Sequence, residues 1–366
     1  MTILERYDIK YETIIATGCM EGAMKETVTI YTLAEELGMT PSMVSRALNP
    51  NGKIAEEKRQ RVLEAARKHQ FMPNKFASRL SRRQVHIGIL IYSRADHVRE
   101  QMLQGIQMAY EKVRDYKVEY LLKVVECSDK EPWECERELF DLVSCEGVIL
   151  AGFSQDKCRD MLQRFINRNP NVVFLQNMCE ETDYLFASKH DETLASELAA
   201  ELLENRLHGR QRRNVLLFTG EGTGSVHIRA AGAFAGCCGE YGLNLLDIID
   251  MHDSESYVRE NISRIMESYK GQVDGIYITS GNSVALCDYV QREMPGTALV
   301  TFDVYAGLAT YIRNGTVCAT IFQDIVRQAE NAFDKLVSYL IEDEVPEREV
   351  FTNVLAVMKS NLRLYI

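Results

Sequence analysis

Four side chains stand where a hydroxyl-rich ligand could be gripped. Arg229 comes after the apolar stretch VLLFT and a glycine-rich turn, Asn282 after GIYITSG, Asp303 after ALVTF and Gln323 after VCATIF. Open sheets flanked by helices bind ligands just beyond the carboxyl ends of their strands, so polar residues at such points are the first candidates for a pocket wall. A ligand hydroxyl both donates and accepts, and Asp, Asn, Arg and Gln between them supply both kinds of partner. Taken singly, an Asp or Asn after a strand is more often a turn former or helix cap. Covalent chemistry finds no comparable set. The chain has no GxSxG elbow, no GxxxxGK[ST] phosphate loop and no HExxH pair, and GEGTGS (Gly220 to Ser225) resembles a nucleotide loop only loosely. Its seven histidines lie far apart and its ten cysteines make no CxxC pair. No metal, no cofactor, no disulfide framework and no enzyme activity is therefore expected.

These residues need strands that end along a shared edge. From Val85 onward, apolar strand-like runs (HIGILIY, KVEYLLKVV, GVILAGF) alternate with amphipathic helical ones (MLQGIQMAYEKV, ECERELFDLV). That alternation predicts parallel sheets covered by helices, an α/β architecture. With 366 residues, 46% of them apolar and 26% charged, the chain can bury such a core in two or three domains. Its longest apolar runs break well short of the roughly 18 residues a membrane span requires. Near the N-terminus Glu5, Arg6, Asp8, Lys10 and Glu12 interrupt the apolar residues, unlike a secretion signal. The expectation is a cytoplasmic protein with reduced thiols and no membrane partner.

The net charge of −11 hides an asymmetry. Val28 to Arg83 carries eleven basic and five acidic residues, a balance of +6, whereas everything from Gln84 onward carries −15. A basic head on an acidic body is the footprint of a module that meets a polyanion. Within the head, Ile30, Leu33, Ala34 and Leu37 recur at helical spacing and Gly38 can end that helix in a left-handed turn. Thr40 is then a good N-cap and Pro41 a good first-turn residue for a second helix burying Val44, Ala47 and Leu48. Thr40, Ser42, Met43, Ser45, Arg46 and Asn49 face outward or flank it. A third helix follows from Ala55 to His69. This predicts a small all-α helix-turn-helix, whose second helix enters the major groove of double-stranded DNA.

The run from Val28 to Leu90 resembles the N-terminal region of the LacI/GalR family of bacterial transcription regulators. VSRALN (Val44 to Asn49), RVLEAA (Arg61 to Ala66) and MPN (Met72 to Asn74) carry the likeness. It implies a helix-turn-helix head over 28–73, a hinge over 74–84 and a periplasmic-binding-protein-like body over 85–366. The body would hold two doubly wound parallel-sheet lobes, one about 85–188 with 320–346, the other 189–319 with 347–366. The chain would cross between them near Ala187 to Asp191, Cys318 to Phe322 and Val345 to Val350. The resemblance also implies that Asn74, Ala77 and Ser78 lie in a hinge helix formed on the operator, with Leu80 wedged into a minor-groove base step. Pro41 and Ser42 take the leading specificity positions, and Arg46 matches the arginine that contacts guanine or phosphate. Pro41 cannot hydrogen-bond a base edge, which departs from relatives with a polar residue there.

In the body, Arg229, Asn282, Asp303 and Gln323 match the quartet with which sugar-binding periplasmic proteins hold hydroxyls, and Asp191 matches a further polar position. The loop YSRADHVREQM (Tyr92 to Met102) lacks the Asn-Pro-aromatic stretch of relatives, so Tyr92, Phe153 or Trp133 would have to supply any stacking ring. The implied function is that of a repressor of carbohydrate genes, a homodimer on a near-palindromic operator, switched allosterically by a sugar-like effector. Two rivals are a regulator governed by a protein partner and a sugar-binding transport component, which the basic head opposes. Residues 1–27 are expected as an extension, with Met1 to Ala23 a nonnative leader or a disordered tail, because the family usually begins a few residues before its first helix, as MKETVTIYTLAEEL does at Met24.

Overall fold

A computed structural model describes residues 14–15, 30–48, 54–69, 84–114, 117–125, 130–220 and 225–366. The head holds α1 (Ile30–Leu37), α2 (Pro41–Leu48) and α3 (Glu56–Lys68). Gly38 turns the chain at φ +63°, and Thr40 Oγ1 accepts the Met43 N–H at 3.3 Å at the start of α2. Leu33, Ala34, Val44, Ala47, Val62, Ala65 and Ala66 pack together beneath a polar surface. Arg59 reaches from α3 to donate to the Ala47 carbonyl at 3.2 Å, satisfying an orphan acceptor at the end of α2. Asn49, Asn74, Ala77, Ser78 and Leu80 lie outside the described residues, and so does the hinge up to Arg83.

The body contains two sheets. The first has the order β1–β3–β2–β4–β5–β6–β12, with β1 at Ile14–Ile15, β2 at Val85–Tyr92, β3 at Val118–Val125, β4 at Gly147–Ala151, β5 at Val172–Leu175, β6 at Phe186–His190 and β12 at Glu349–Thr352. The second has the order β13–β11–β10–β9–β7–β8, with β7 at Asn214–Thr219, β8 at Asn244–Asp250, β9 at Gly275–Ile278, β10 at Ala298–Phe302, β11 at Ala319–Phe322 and β13 at Leu355–Val357. All neighbours are parallel except β1 on β3 and β13 on β11. Helices α4 (Asp96–Val113), α5 (Glu136–Phe140), α6 (Arg159–Ile166) and α12 (Ile325–Glu342) belong to the first lobe. Helices α7 (Glu192–Leu207), α8 (Ser225–Glu240), α9 (Glu255–Glu267), α10 (Val284–Glu293) and α11 (Ala306–Asn314) belong to the second. Both faces of each sheet are covered, which is why the central strands are apolar on both sides. No helix among the described residues is long and apolar enough to cross a membrane.

Two expected crossings shift by a few residues. β11 pairs with β10, so Ala319–Phe322 belongs to the second lobe and the chain returns to the first at Gln323 and Asp324, not before. β12 pairs with β6, Glu349 opposite Ala187, so the last crossing falls after Thr352 rather than near Val345 to Val350. Apolar runs mark a strand but not its partner, and partner choice is non-local. Within Met1 to Ala23, expected as a nonnative leader or a disordered tail, Ile14 and Ile15 pair antiparallel with Leu122 and Leu121. An open sheet edge offers unpaired backbone groups for such an addition.

Helix α12 lies against α4 over the first sheet, with Met102, Ile106 and Ala109 facing Ala329, Ala332 and Phe333. Their approach depends on Gly105, where an added Cβ would stand 2.2 Å from the Val326 carbonyl oxygen and 2.7 Å from Ala329 Cβ. Eight described cysteines are free thiols. Burial pushes Cys145 and Cys179 up to about 11 and Cys158 to about 12, which makes them inert core groups. Alanine in an exposed helix would add about 1 kcal/mol over glycine. At position 105 the clash reverses the sign, and Gly105→Ala should cost about 1–3 kcal/mol in urea unfolding. A midpoint at or above that of the unaltered chain would show that the two helices do not need this contact.

Candidate ligand cleft

The lobes meet where three strand ends cross. β6 ends at His190, and Asp191 caps α7 by accepting the N–H groups of Thr193 and Leu194 at 2.9 and 3.1 Å. Gln323 follows β11 and Thr352 closes β12, whose Oγ1 donates to the Gln323 carbonyl at 2.9 Å. Beside this seam is a cavity of about 170 Å³ lined from both lobes. Tyr92, Asn282, Asp303 and Gln323 stand in its wall. Asp303 accepts from Gln323 Nε2 at 2.7 Å, and Gln176 Nε2 lies 3.4 Å from Gln323 Oε1. Asn282 is turned aside to donate to the Asp253 carbonyl at 2.8 Å. Asp303 adopts φ +65° and Gln176 φ +67°, left-handed backbone that non-glycine residues rarely take. With Asp253 at φ +47°, three such residues line the cavity and mark it as a place where geometry is held against local preference.

Arg229 and Asp191 are not in that wall. Arg229 sits on α8 and donates to Glu180 of the first lobe at 2.6 Å and to Glu192 of α7 at 2.9 Å. Its preference for two carboxylates over a cavity follows from charge pairing, and Asp191 is spent as a helix cap. Lys189, on β6, extends the chain of charges, at 3.6 Å from Glu192 and 2.9 Å from Glu349. Burial raises the Glu192 carboxyl, yet the charges around it, those of Lys189 and Arg229 among them, more than offset this and hold it below the usual carboxylate range. Of the other expected rings, Phe153 is fully buried in the first core and Trp133 lies under Lys157.

Several wall residues escaped the sequence reading. His190 is only 6% exposed, is tilted against Phe302, and its Nδ1 meets no hydrogen-bond partner among the described residues. His227 faces Asp253 at 3.1 Å, and Gly220 leaves room for the pair, since a Cβ there would lie 2.2 Å from Asp253 Oδ1. Ser154, Gln176 and Asn177 follow β4 and β5, the same strand-end position that pointed to Asn282. Two contacts close the mouth across the lobes. His97 of α4 stacks on Tyr305 with ring centroids 3.9 Å apart, and Gln101 donates to the Val304 carbonyl at 3.5 Å.

A three-helix head joined to two α/β lobes with a polar cavity at their boundary defines a helix-turn-helix protein with a periplasmic-binding-protein-like body. The periplasmic binding protein domain profile matches residues 87–344, and that of the bacterial regulatory proteins of the lacI family matches residues 29–74. The chain thus belongs to the periplasmic binding protein domain family and carries a lacI-family helix-turn-helix domain at its N-terminal end. Catabolite control protein A from Staphylococcus epidermidis is 27% identical over 181 residues, covering 48% of this chain and 52% of that protein. The protein of the same name from Staphylococcus aureus is 25% identical over 236 residues, covering 63% and 67%. The matched chain thus spans about half to two thirds of the length of these curated relatives. Among solved structures, a glucose-galactose binding protein from Geobacillus stearothermophilus superposes with a TM-score of 0.68 at 17% identity, over 76% of this chain and 99% of that one. A periplasmic ribose ABC transporter from Conexibacter woesei gives 0.66 at 17%, over 77% and 94%. These two likenesses show the fold.

Burial holds the His190 imidazole below its ordinary value. Unfolding therefore lets it bind a proton that the folded chain refuses, so stability is undiminished well above about pH 6.5 and falls as pH drops below it. His190→Gln should flatten that slope in urea unfolding followed from about pH 7 to 5; a slope that survives unchanged belongs to other groups. Removing the Arg229 head group strands a buried carboxylate, whereas Glu180 is half exposed. Arg229→Ala should cost about 1–3 kcal/mol and Glu180→Gln less than about 1 kcal/mol. Equal costs for the two would contradict this ordering.

Proposed function

We propose that this chain is a sequence-specific DNA-binding transcriptional regulator, a repressor of carbohydrate genes whose effector occupies the cavity between the lobes. One observation carries the reading: a helix-turn-helix head and a two-lobed body with a polar cavity share one chain. The name of these relatives, catabolite control protein A, supports a link to carbon-source use. In this reading the protein acts in the cytoplasm as a homodimer on a near-palindromic operator and carries out no catalytic step. The first turns of α2 present Thr40, Ser42, Met43, Ser45 and Arg46 to the major groove, and Asn49 with the hinge residues Asn74, Ala77, Ser78 and Leu80 completes the contact. Tyr92, Asn282, Asp303 and Gln323 hold the effector directly. Arg229 and Asp191 act on it through Glu192 and the start of α7. Effector binding changes how the lobes close, and closure changes whether two hinges can meet the operator together.

Selection of bound fragments from genomic DNA by the full chain tests the first half. Arg46, exposed on α2, should matter there, and Arg46→Ala should weaken the selected site by about 1–3 kcal/mol. Unchanged binding would remove α2 from the DNA interface. For the second half, the double variant Asn282→Ala with Gln323→Ala should keep its DNA affinity and lose the ligand response. Regulation that persists in it unaltered would move the signal away from the cavity, toward a protein partner.

A further inference from the structure

The charges that line the cavity do not balance. Glu192, Asp253 and Asp303 stand in its wall against one guanidinium, that of Arg94. We propose, resting on the effector reading above, that the ligand is cationic, an ammonium group on a small polyhydroxyl frame, with Asp303 as its counterion.

Each charge can be followed to its partner. Arg94 donates to Glu131 at 2.7 Å. Glu192 is held by Arg229 at 2.9 Å with Lys189 at 3.6 Å, both cations coming from outside the cavity wall. Asp253 is engaged by His227 at 3.1 Å and accepts from the Ser280 hydroxyl at 2.9 Å. Asp303 differs. It is 3% exposed, and one of its oxygens accepts from a neutral amide, that of Gln323. Among the described residues its ion-pair contact is the imidazole of His97, whose Nε2 stands 3.8 Å from the other oxygen, beyond hydrogen-bond length. A carboxylate taken out of water without a close counterion is costly, and a ligand that brings one removes that cost.

An anion is disfavoured: a phosphate or carboxylate would meet Asp303, and the guanidiniums of Arg94 and Arg229 are each engaged by a glutamate. A neutral sugar could donate a hydrogen bond to Asp303 but would leave its charge uncompensated. Phe302, Tyr92 and Tyr277 also line the cavity, and aromatic rings attract cations rather than anions. His190 Nδ1, deeply buried and without a hydrogen-bond partner among the described residues, is a second point that a ligand hydroxyl or amine can satisfy. The cavity, about 170 Å³, has space on the scale of a small polyhydroxyl ligand.

Calorimetric titration of the full chain with matched probes isolates charge. The probes are D-glucosamine, D-glucose, N-acetyl-D-glucosamine and D-glucose 6-phosphate, with the corresponding galactose set. An amine should bind about tenfold or more tighter than its neutral parent and its N-acetyl form, and the phosphates should give no heat. Asp303→Asn, checked for native near-ultraviolet dichroism, should bring amine and parent within about threefold of each other. A parent or phosphate that binds as tightly as the amine overturns this inference and leaves the effector cleft standing. Silence from every probe also overturns it, whereas the effector reading itself falls only if cavity substitutions leave regulation unchanged.

Discussion

Glu192 is a charge buried at the point where the first crossing strand becomes the first helix of the second lobe, and much of the body is arranged around keeping it charged. Moving a carboxylate into the interior costs several kcal/mol unless opposite charges and donors accompany it. Here Lys189 approaches from the strand before it and Arg229 from a neighbouring helix, and each in turn is held by a second acid, Glu349 or Glu180. The result is an alternating row, Glu349, Lys189, Glu192, Arg229, Glu180, that starts on the last strand of the first sheet, passes through the seam and returns to the first lobe across the cleft. Because the row includes β6, β12 and α7, the crossings cannot shift register without stranding a charge. The cavity beside it inherits its shape from that constraint.

What could be read from the amino-acid order, and what could not, divides along the range of the interactions. The three head helices were legible because Gly38, Thr40 and Pro41 act on backbone within a few residues, and the apolar spacing of Leu33, Val44 and Val62 names the buried face. Tyr92, Asn282, Asp303 and Gln323 reached the cavity wall because a strand end is also a local property. Arg229 and Asp191 satisfied the same rule and went elsewhere. The carboxylates that claim Arg229 lie 37 and 49 positions away along the chain, a separation at which sequence spacing carries no signal. His190 and Glu192 were invisible for the opposite reason: one reads as the last residue of a strand and the other as an ordinary acid in a first helical turn. Sheet membership of Ala319–Phe322 and Glu349–Thr352 likewise depended on partners far away.

The contacts that hold the two lobes together are individually small. The Glu180 carboxylate is half exposed, so its pair with Arg229 is screened and worth at most about 1 kcal/mol. The stack of His97 on Tyr305 adds about 0.5–1.5 kcal/mol. The hydrogen bond from Gln101 to Val304, at 3.5 Å, is at the limit of what counts as one. Inside each lobe, by contrast, the helices bury extensive apolar faces, as α4 and α12 do against the first sheet. A ligand present at a hundredfold excess over its Kd stabilises the state it prefers by about 2.7 kcal/mol, which exceeds any one of the spanning contacts and falls far short of what would disturb a lobe. Binding energy of that size is therefore spent on the angle between the lobes rather than on their interiors. In the proposed mechanism, that separation of scales would let a small ligand in the cleft act on the head without disturbing either lobe.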